Sequence, residues 1–274
     1  MKSPFLTCLL SVSLLLTGLA EHSEASVLLA RYTVDGDTKG TLTDSSGVDP
    51  AANGTWPTRA TAGPEVASGI EGFTGEVLDY LIHGPSYANQ PITLANSGEG
   101  GRLATDFSAE GGFTINLRVS LKSLDNLSPT MILISRWTSA SPSYRSFLLG
   151  INYDGSADGY RFYGAVSGDS VNAQYVYTQA GIVGGGIYDV SFVYVPGEFI
   201  SISAMGIGDT PDIETATNAG AHIPTALFLS SESLSVEPIR IGGTTGLGSL
   251  RNAYLDNIEI YAAIPEPHTA AMIV

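Results

Sequence analysis

The sequence predicts an all-β protein, a sandwich or barrel of short antiparallel strands. Three observations carry this. Phe113, Ile115, Leu117, Val119 and Leu121 alternate with Thr114, Asn116, Arg118 and Ser120, the period-two pattern of a strand with one buried face. Further short runs are rich in β-branched and aromatic residues and are parted by Gly, Asp, Ser and Pro clusters. Past the first 25 residues, no stretch repeats its apolar positions at helical spacing.

In chain order, the runs after the first strand are Thr130 to Trp137, Tyr144 to Tyr153, Tyr160 to Val166, Ile187 to Val195, Glu198 to Ala204 and Tyr254 to Tyr261. Turn clusters separate them: Asp154 to Gly159, Ser167-Gly168-Asp169, Pro196-Gly197 and Gly242-Gly243. Two residues, Pro196 and Gly197, join two strands, so those strands form an antiparallel hairpin. Proline suits the first turn position and glycine the positive φ of the second, a type II arrangement. The polar run from Gly206 to Gly220 reads as loop. Gly36 to Gly75, rich in Gly, Thr and Pro, is expected to wrap an end or edge of the sandwich.

The ends differ in kind from this body. Lys2 precedes an apolar core from about Phe5 to Leu16 and then small residues up to Ala25, a secretory signal peptide too short to span a membrane. We expect residues 1–25 to be the leader, 26–263 one domain, and 264–274 a tail. That tail, Ile264-Pro265-Glu266-Pro267 and onward, resembles the start of a PEP-CTERM sorting signal, which implies sorting machinery as a partner. Only five apolar residues follow Thr269, where a span needs about 20, so the signal is expected to be incomplete. A bacterial protein, secreted or held at the cell surface or outer envelope, is the expected localisation.

Charge and cysteine content exclude several classes. Lys and Arg total 12 against 27 Asp and Glu, a formal net charge of −15. Nucleic acid is therefore not an expected partner, because neutralising phosphates needs a basic surface. The only cysteine, Cys8, lies in the leader, so the mature domain has no disulfide and no thiol chemistry. His22, His83, His222 and His268 show no paired spacing for zinc.

The order of several pieces resembles the LamG-like, concanavalin A-like lectin/glucanase domain. They are Leu29 to Asp37, Thr43 to Gly47, Phe113-Thr114-Ile115, Ile134-Ser135-Arg136-Trp137, Phe147 to Ile151, the Tyr188 to Ala204 hairpin, Ile239 to Gly242, and Leu255-Asp256-Asn257-Ile258-Glu259-Ile260-Tyr261. The resemblance implies a jelly-roll sandwich of two antiparallel sheets whose first and last strands are neighbours. It does not imply one function, since that family holds lectins, adhesion modules, structural domains and glycosidases.

These residues bear on four chemistries. Glycosidases need two carboxylates flanking one bond, and the Glu-x-Asp-x-x-Glu strand motif of laminarinase-type relatives does not occur here. Asp212 and Glu214 fall in the loop-like run, and Asp256 and Glu259, an odd number apart, are expected on opposite faces. Gly168-Asp169-Ser170-Val171 superficially resembles a GDSL esterase block, but no Asp has His three residues later, so it reads as a turn. For a structural Ca²⁺, Asp35, Asp37 and Asp44 crowd the start of the domain and Asp256 lies on its last strand, hard oxygen ligands of the kind calcium takes. For an extracellular glycan or matrix polysaccharide, aromatic faces are needed against sugar CH surfaces. Trp137, with Tyr144 and Arg145 across a short loop, is the expected rim site, within a wider set that includes Trp56, Tyr153, Tyr160, Tyr163, Tyr175 and Tyr177. The expected function is non-catalytic carbohydrate binding or adhesion; a purely structural role and a glucanase are the alternatives.

Overall fold

The structure, a computed structural model, describes residues 26–57, 63–81, 90–103, 111–125, 127–138, 144–155, 159–231, 236–244 and 248–263. The expected leader and sorting tail lie outside them. Among the described residues helix occurs only at 102–103. The strands are β1 (Ser26–Tyr32), β2 (Thr41–Leu42), β3 (Gly54–Thr55), β4 (Glu65–Ser68), β5 (Glu76–Tyr80), β6 (Ile92–Leu94), β7 (Phe113–Leu121), β8 (Thr130–Thr138), β9 (Tyr144–Tyr153), β10 (Tyr160–Ser167), β11 (Ala173–Tyr177), β12 (Ile187–Val195), β13 (Phe199–Gly206), β14 (Ile213–Ala219), β15 (Arg240–Ile241) and β16 (Ala253–Ala263). They build two sheets. Sheet A runs β14-β13-β12-β7-β16-β5-β4, with β1 also on β16; sheet B runs β11-β10-β9-β8-β15-β6-β3-β2. Every pairing of these strands is antiparallel, as expected of a jelly-roll sandwich.

Alternation explains why the sheets face each other. On β7, Phe113, Ile115, Leu117 and Val119 are buried while Thr114, Asn116 and Arg118 are half-buried, and β12 and β13 repeat the pattern. Their inward residues meet Phe147, Leu149, Ile151, Phe162 and Val166 of sheet B in one continuous core, where apolar burial supplies the main driving force. Aromatic rings bridge the layers. Between the sheets Phe113 lies 5.2 Å from Phe147 and Phe162 lies 5.6 Å edge-on to Tyr188, while within sheet A Phe113 lies 5.3 Å from Phe192. Buried tyrosine hydroxyls tie loops to this core: Tyr32 donates to the Ala52 carbonyl at 2.7 Å and Tyr194 to that of Pro224 at 2.6 Å.

Three local readings are refined or overturned and one holds. Val195 pairs with Phe199, so the hairpin loop is the three residues Pro196, Gly197 and Glu198 rather than two. The Glu198 N–H still donates to the Val195 carbonyl at 3.1 Å, with Gly197 at φ 71°, as a type II turn requires. The stretch from Gly206 to Gly220 is not all loop: it contains β14, an edge strand of sheet A whose Glu214 is exposed. Asp212 accepts from the Gly206 N–H at 2.8 Å and so shapes the bend before that strand. From the Gly36 to Gly75 stretch, β2 and β3 lie at the edge of sheet B and β4 at the edge of sheet A, the edge placement expected of it.

The third change is in β16. Asp256 pairs with Arg118 and Glu259 with Asn116, so three steps on β16 oppose two on β7, and Asn257 has φ 50°. A β-bulge of this kind resets the side-chain parity. Asp256 and Glu259 therefore share the outer side of sheet A, contrary to the expectation from their spacing. The bulge sits where the other edge of β16 changes partner, from β5 at Ala253–Leu255 to β1 from Ile258 onward. First and last strands are neighbours, as the resemblance implied.

Candidate functional site

The outer face of sheet B holds Trp137, Tyr163, Tyr175 and Tyr177 of the predicted aromatic residues, arranged differently from the expectation. Register places Trp137 opposite Arg145, Leu148 opposite Ala165, and Tyr163 between Gly150 and Tyr177. Ile132, Trp137, Leu148, Tyr163 and Ala165 form a second apolar cluster, separate from the core and against the outside of the sheet. Gly150 makes room for it: a Cβ there would stand 2.8 Å from the Tyr163 ring. That ring consequently lies over the backbone of β9.

From Tyr163 the aromatic surface continues outward. The Tyr163 and Tyr177 rings are 5.9 Å apart with planes 13° from parallel, and Tyr175 and Tyr177 are 6.0 Å apart at 14°. Tyr175 and Tyr177 are two residues apart on edge strand β11, so they share a face, and they are 39% and 41% exposed. The Arg161 guanidinium lies 4.4 Å from the Tyr177 ring centre, a cation–π contact. Burial raises the Tyr177 hydroxyl pKa, with Tyr175 adding to the rise and Arg161 opposing it. The result is a row of parallel rings, a cation above one of them and two of them open to solvent.

Of the three predicted rim residues, Trp137 is only 3% exposed and serves as the floor of this cluster. Arg145 lies 5.7 Å from its ring and donates from Nη1 to the Val171 carbonyl at 2.7 Å. Tyr144 is not on this face. It pairs with Thr138, is 1% exposed, and its hydroxyl donates to the Leu229 carbonyl at 2.5 Å; burial pushes its pKa up to about 12. Trp56 is buried too, its Nε1 donating to Pro64. The row of Tyr163, Tyr175 and Tyr177 was visible among the aromatic candidates but was not singled out. Tyr-x-Tyr at 175 and 177 was the local signal; the third ring joins only through strand register.

The four acidic residues considered for calcium separate into two kinds. Asp44 and Asp37 already have partners. Asp44 accepts N–H groups from Arg31, Ser46 and Ala52 at 3.1, 3.0 and 2.9 Å, and Asp37 accepts the N–H and hydroxyl of Thr43. Burial alone would raise the Asp44 pKa, but these N–H groups together hold it below its ordinary value. Asp35 accepts the Glu76 N–H at 2.9 Å. Asp256 is fully buried, and neither carboxylate oxygen makes a hydrogen bond of ordinary geometry. Burial pushes its pKa up to about 7, with the Asp35 charge adding to the rise while the Asn257 N–H and Arg118 pull it back. Among the described residues no group of three or more His, Cys, Asp or Glu is placed to hold a metal ion.

The turn at Gly168 to Val171 is a turn, as read. Asp169 accepts the Val171 and Asn172 N–H groups at 2.9 and 2.7 Å, and hydrogen bonds from Asn172 above all lower its pKa to about 2.

No family model matches the chain. No curated protein matches it either. Solved structures do. The binding domain of Paraclostridial Mosquitocidal Protein 1 superposes with a TM-score of 0.57 at 14% identity, over 87% of this chain and 49% of that one. The likeness is one of fold. This chain thus spans about half the length of that toxin domain. Domain 4 of AbnA, an extracellular arabinanase from Geobacillus stearothermophilus solved with arabinotriose, gives 0.52 at 14% identity, over 88% of this chain and 96% of that one. The binding domain of botulinum neurotoxin DC, solved with rat synaptotagmin II, gives 0.56 at 10% identity, over 87% and 49%. At these identities the shared property is the β-sandwich itself.

Proposed function

We propose that this chain is an exported, non-catalytic β-sandwich that binds carbohydrate at the cell surface or in its surrounding matrix, with the outer face of sheet B as its binding face. One observation carries the reading: Tyr175 and Tyr177 present parallel, solvent-open rings continuous with Tyr163 and flanked by Arg161. Aromatic faces of this kind match the CH surfaces of sugar rings, while the guanidinium and the tyrosine hydroxyls fix orientation. Trp137 and Arg145 then act beneath and beside the ligand rather than as its platform. The arabinotriose complex of the arabinanase domain is a relevant precedent for the fold.

A glycan array tests this, followed by titration of each hit. Tyr175→Ala and Tyr177→Ala should each weaken binding at least ten-fold, about 1.4 kcal/mol. Unchanged affinity in both variants would refute the assignment of the face. Release of reducing sugar from a bound polymer would refute the non-catalytic part.

The Ca²⁺ expectation is retained in reduced form, with Asp256 and Asp35 as its ligands and Asp37 and Asp44 as turn-forming residues. A fully buried carboxylate with neither oxygen in a well-formed hydrogen bond is the arrangement a hard cation would satisfy. Calcium takes six to eight oxygens, so backbone carbonyls and water complete the shell. The ion would neutralise Asp256 and fasten β16 to the turn after β1 in a domain without disulfides. Adding Ca²⁺ should raise the melting temperature, and Asp256→Asn should abolish that rise. No heat and no thermal shift in a calcium titration would remove the ion from the account.

A further inference from the structure

We infer that the outer face of sheet A carries a second binding groove, for a neutral, hydroxyl-rich ligand, on the side of the sandwich opposite the tyrosine row. The groove encloses about 490 Å³, within the roughly 300–1,000 Å³ of small-molecule sites. It is built by register. Arg31 pairs with Glu259, Glu259 with Asn116, Asn116 with Ser191, and Ser191 with Ser203. These five residues make one rung across β1, β16, β7, β12 and β13. The next rung places Arg118 beside Asp189 and Asp189 beside Met205. With strands about 4.8 Å apart, polar groups stand at regular intervals across the sheet.

The charges that line the groove are already matched. Arg118 donates from Nε and Nη2 to the two oxygens of Asp189 at 2.8 and 2.9 Å. Arg31 Nε and the Tyr261 hydroxyl donate to the two oxygens of Glu259 at 2.8 and 2.7 Å. An incoming anion or cation therefore finds no unpaired counter-charge. What the groove offers is the amide of Asn116, the hydroxyls of Ser191 and Ser203, and the Asn257 amide, carried by the bulge residue. Each carboxylate also keeps acceptor capacity, since its two oxygens offer about four lone-pair sites. Interleaved donors and acceptors without net charge suit a polyol, and the exposed Met205 gives its CH groups one apolar contact. The groove does not depend on the sheet B reading. Two-faced attachment, by which one chain would cross-link two polysaccharide strands, does.

The test is ¹⁵N-detected titration of the whole protein with neutral trisaccharides (arabinotriose, cellotriose, maltotriose and mannotriose) and with trigalacturonate as the anionic comparison. A neutral probe should shift the Asn116 and Asn257 side-chain amide signals, and these shifts should persist in Tyr175→Ala/Tyr177→Ala. In Asn116→Ala/Ser203→Ala, affinity read from the remaining groove signals should fall at least ten-fold while any shifts at the tyrosines remain. Stationary groove signals with all four neutral probes would overturn the site. Equal or tighter binding of trigalacturonate would overturn the ligand class. Groove shifts without shifts on sheet B would leave this inference standing and refute the sheet B reading, so the two fail separately.

Discussion

The outer faces of the two sheets rest on one shared core yet present opposite chemistry. On sheet B the outward positions of β8 to β11 carry Ile132, Trp137, Leu148, Tyr163, Tyr175 and Tyr177. On sheet A those of β7, β12, β13 and β16 carry Asn116, Arg118, Asp189, Ser191, Ser203 and Glu259. Inward positions on both are mostly apolar because the sheets must bury a face against each other; Arg136, paired with Phe147 on sheet B and fully buried, is the charged exception. The outward positions have no such duty, so their composition reports something other than folding. A solvated face needs only polarity, which sheet A has. Sheet B instead packs Ile132, Trp137, Leu148 and Tyr163 into a buried cluster on its outer side and leaves only the Tyr175 and Tyr177 rings of that row open to solvent.

That comparison can be broken from the inside. Phe192 packs against Phe113 at the interface of the layers, and Phe192→Ala should remove about 3–5 kcal/mol, read by chemical denaturation, and loosen both faces together. Next in size is Asp44→Ala, which leaves three backbone N–H groups without their acceptor. A loss of about 1–3 kcal/mol is expected, with no change at the tyrosines. A smaller loss, about 1 kcal/mol or less because the pair is partly exposed, is expected for Arg118→Ala and should shrink further in high salt. Tyr177→Ala should do the reverse of these, changing ligand affinity about ten-fold with little effect on melting.

The smallest effect is a pH dependence. The Asp169 carboxyl titrates lower in the fold than in the unfolded chain, so its contribution is fully present above its ordinary pKa of about 3.9. It is lost as pH falls through about 2. Asp169→Asn should remove that pH-dependent component of stability, and in the native chain the protection of the Val171 and Asn172 amides, taken relative to their intrinsic exchange rate at each pH, should fall as pH drops from about 3.9 towards about 2.

Much of the fold was legible because its inner faces are regular. The alternation in Phe113 to Leu121 marks β7, and β9 and β12 begin and end where the aromatic and β-branched runs do. Strand β14 was hidden because it is an edge strand whose Glu214, Thr215, Thr217 and Asn218 leave little apolar alternation to detect. The shared face of Asp256 and Glu259 was hidden for another reason. One bulge residue, Asn257, inverts the parity that spacing implies, and nothing in the local composition announces it. Of the expected rim residues, the placement of Trp137 and Arg145 on one sheet B face followed from strand alternation, while Tyr144 sits one position beyond them and turns to the other side. Tyr163 meets Tyr177 only because β10 and β11 pair in one register, and pairing is a long-range property.

The most direct trial of the central claim is calorimetric titration of the best glycan-array hit into the native protein and into Tyr175→Ala/Tyr177→Ala. The account predicts saturable binding to the native chain and at least a hundred-fold loss in the double variant, about 2.7 kcal/mol, with its fold intact by circular dichroism. Equal affinity in the two proteins would contradict it.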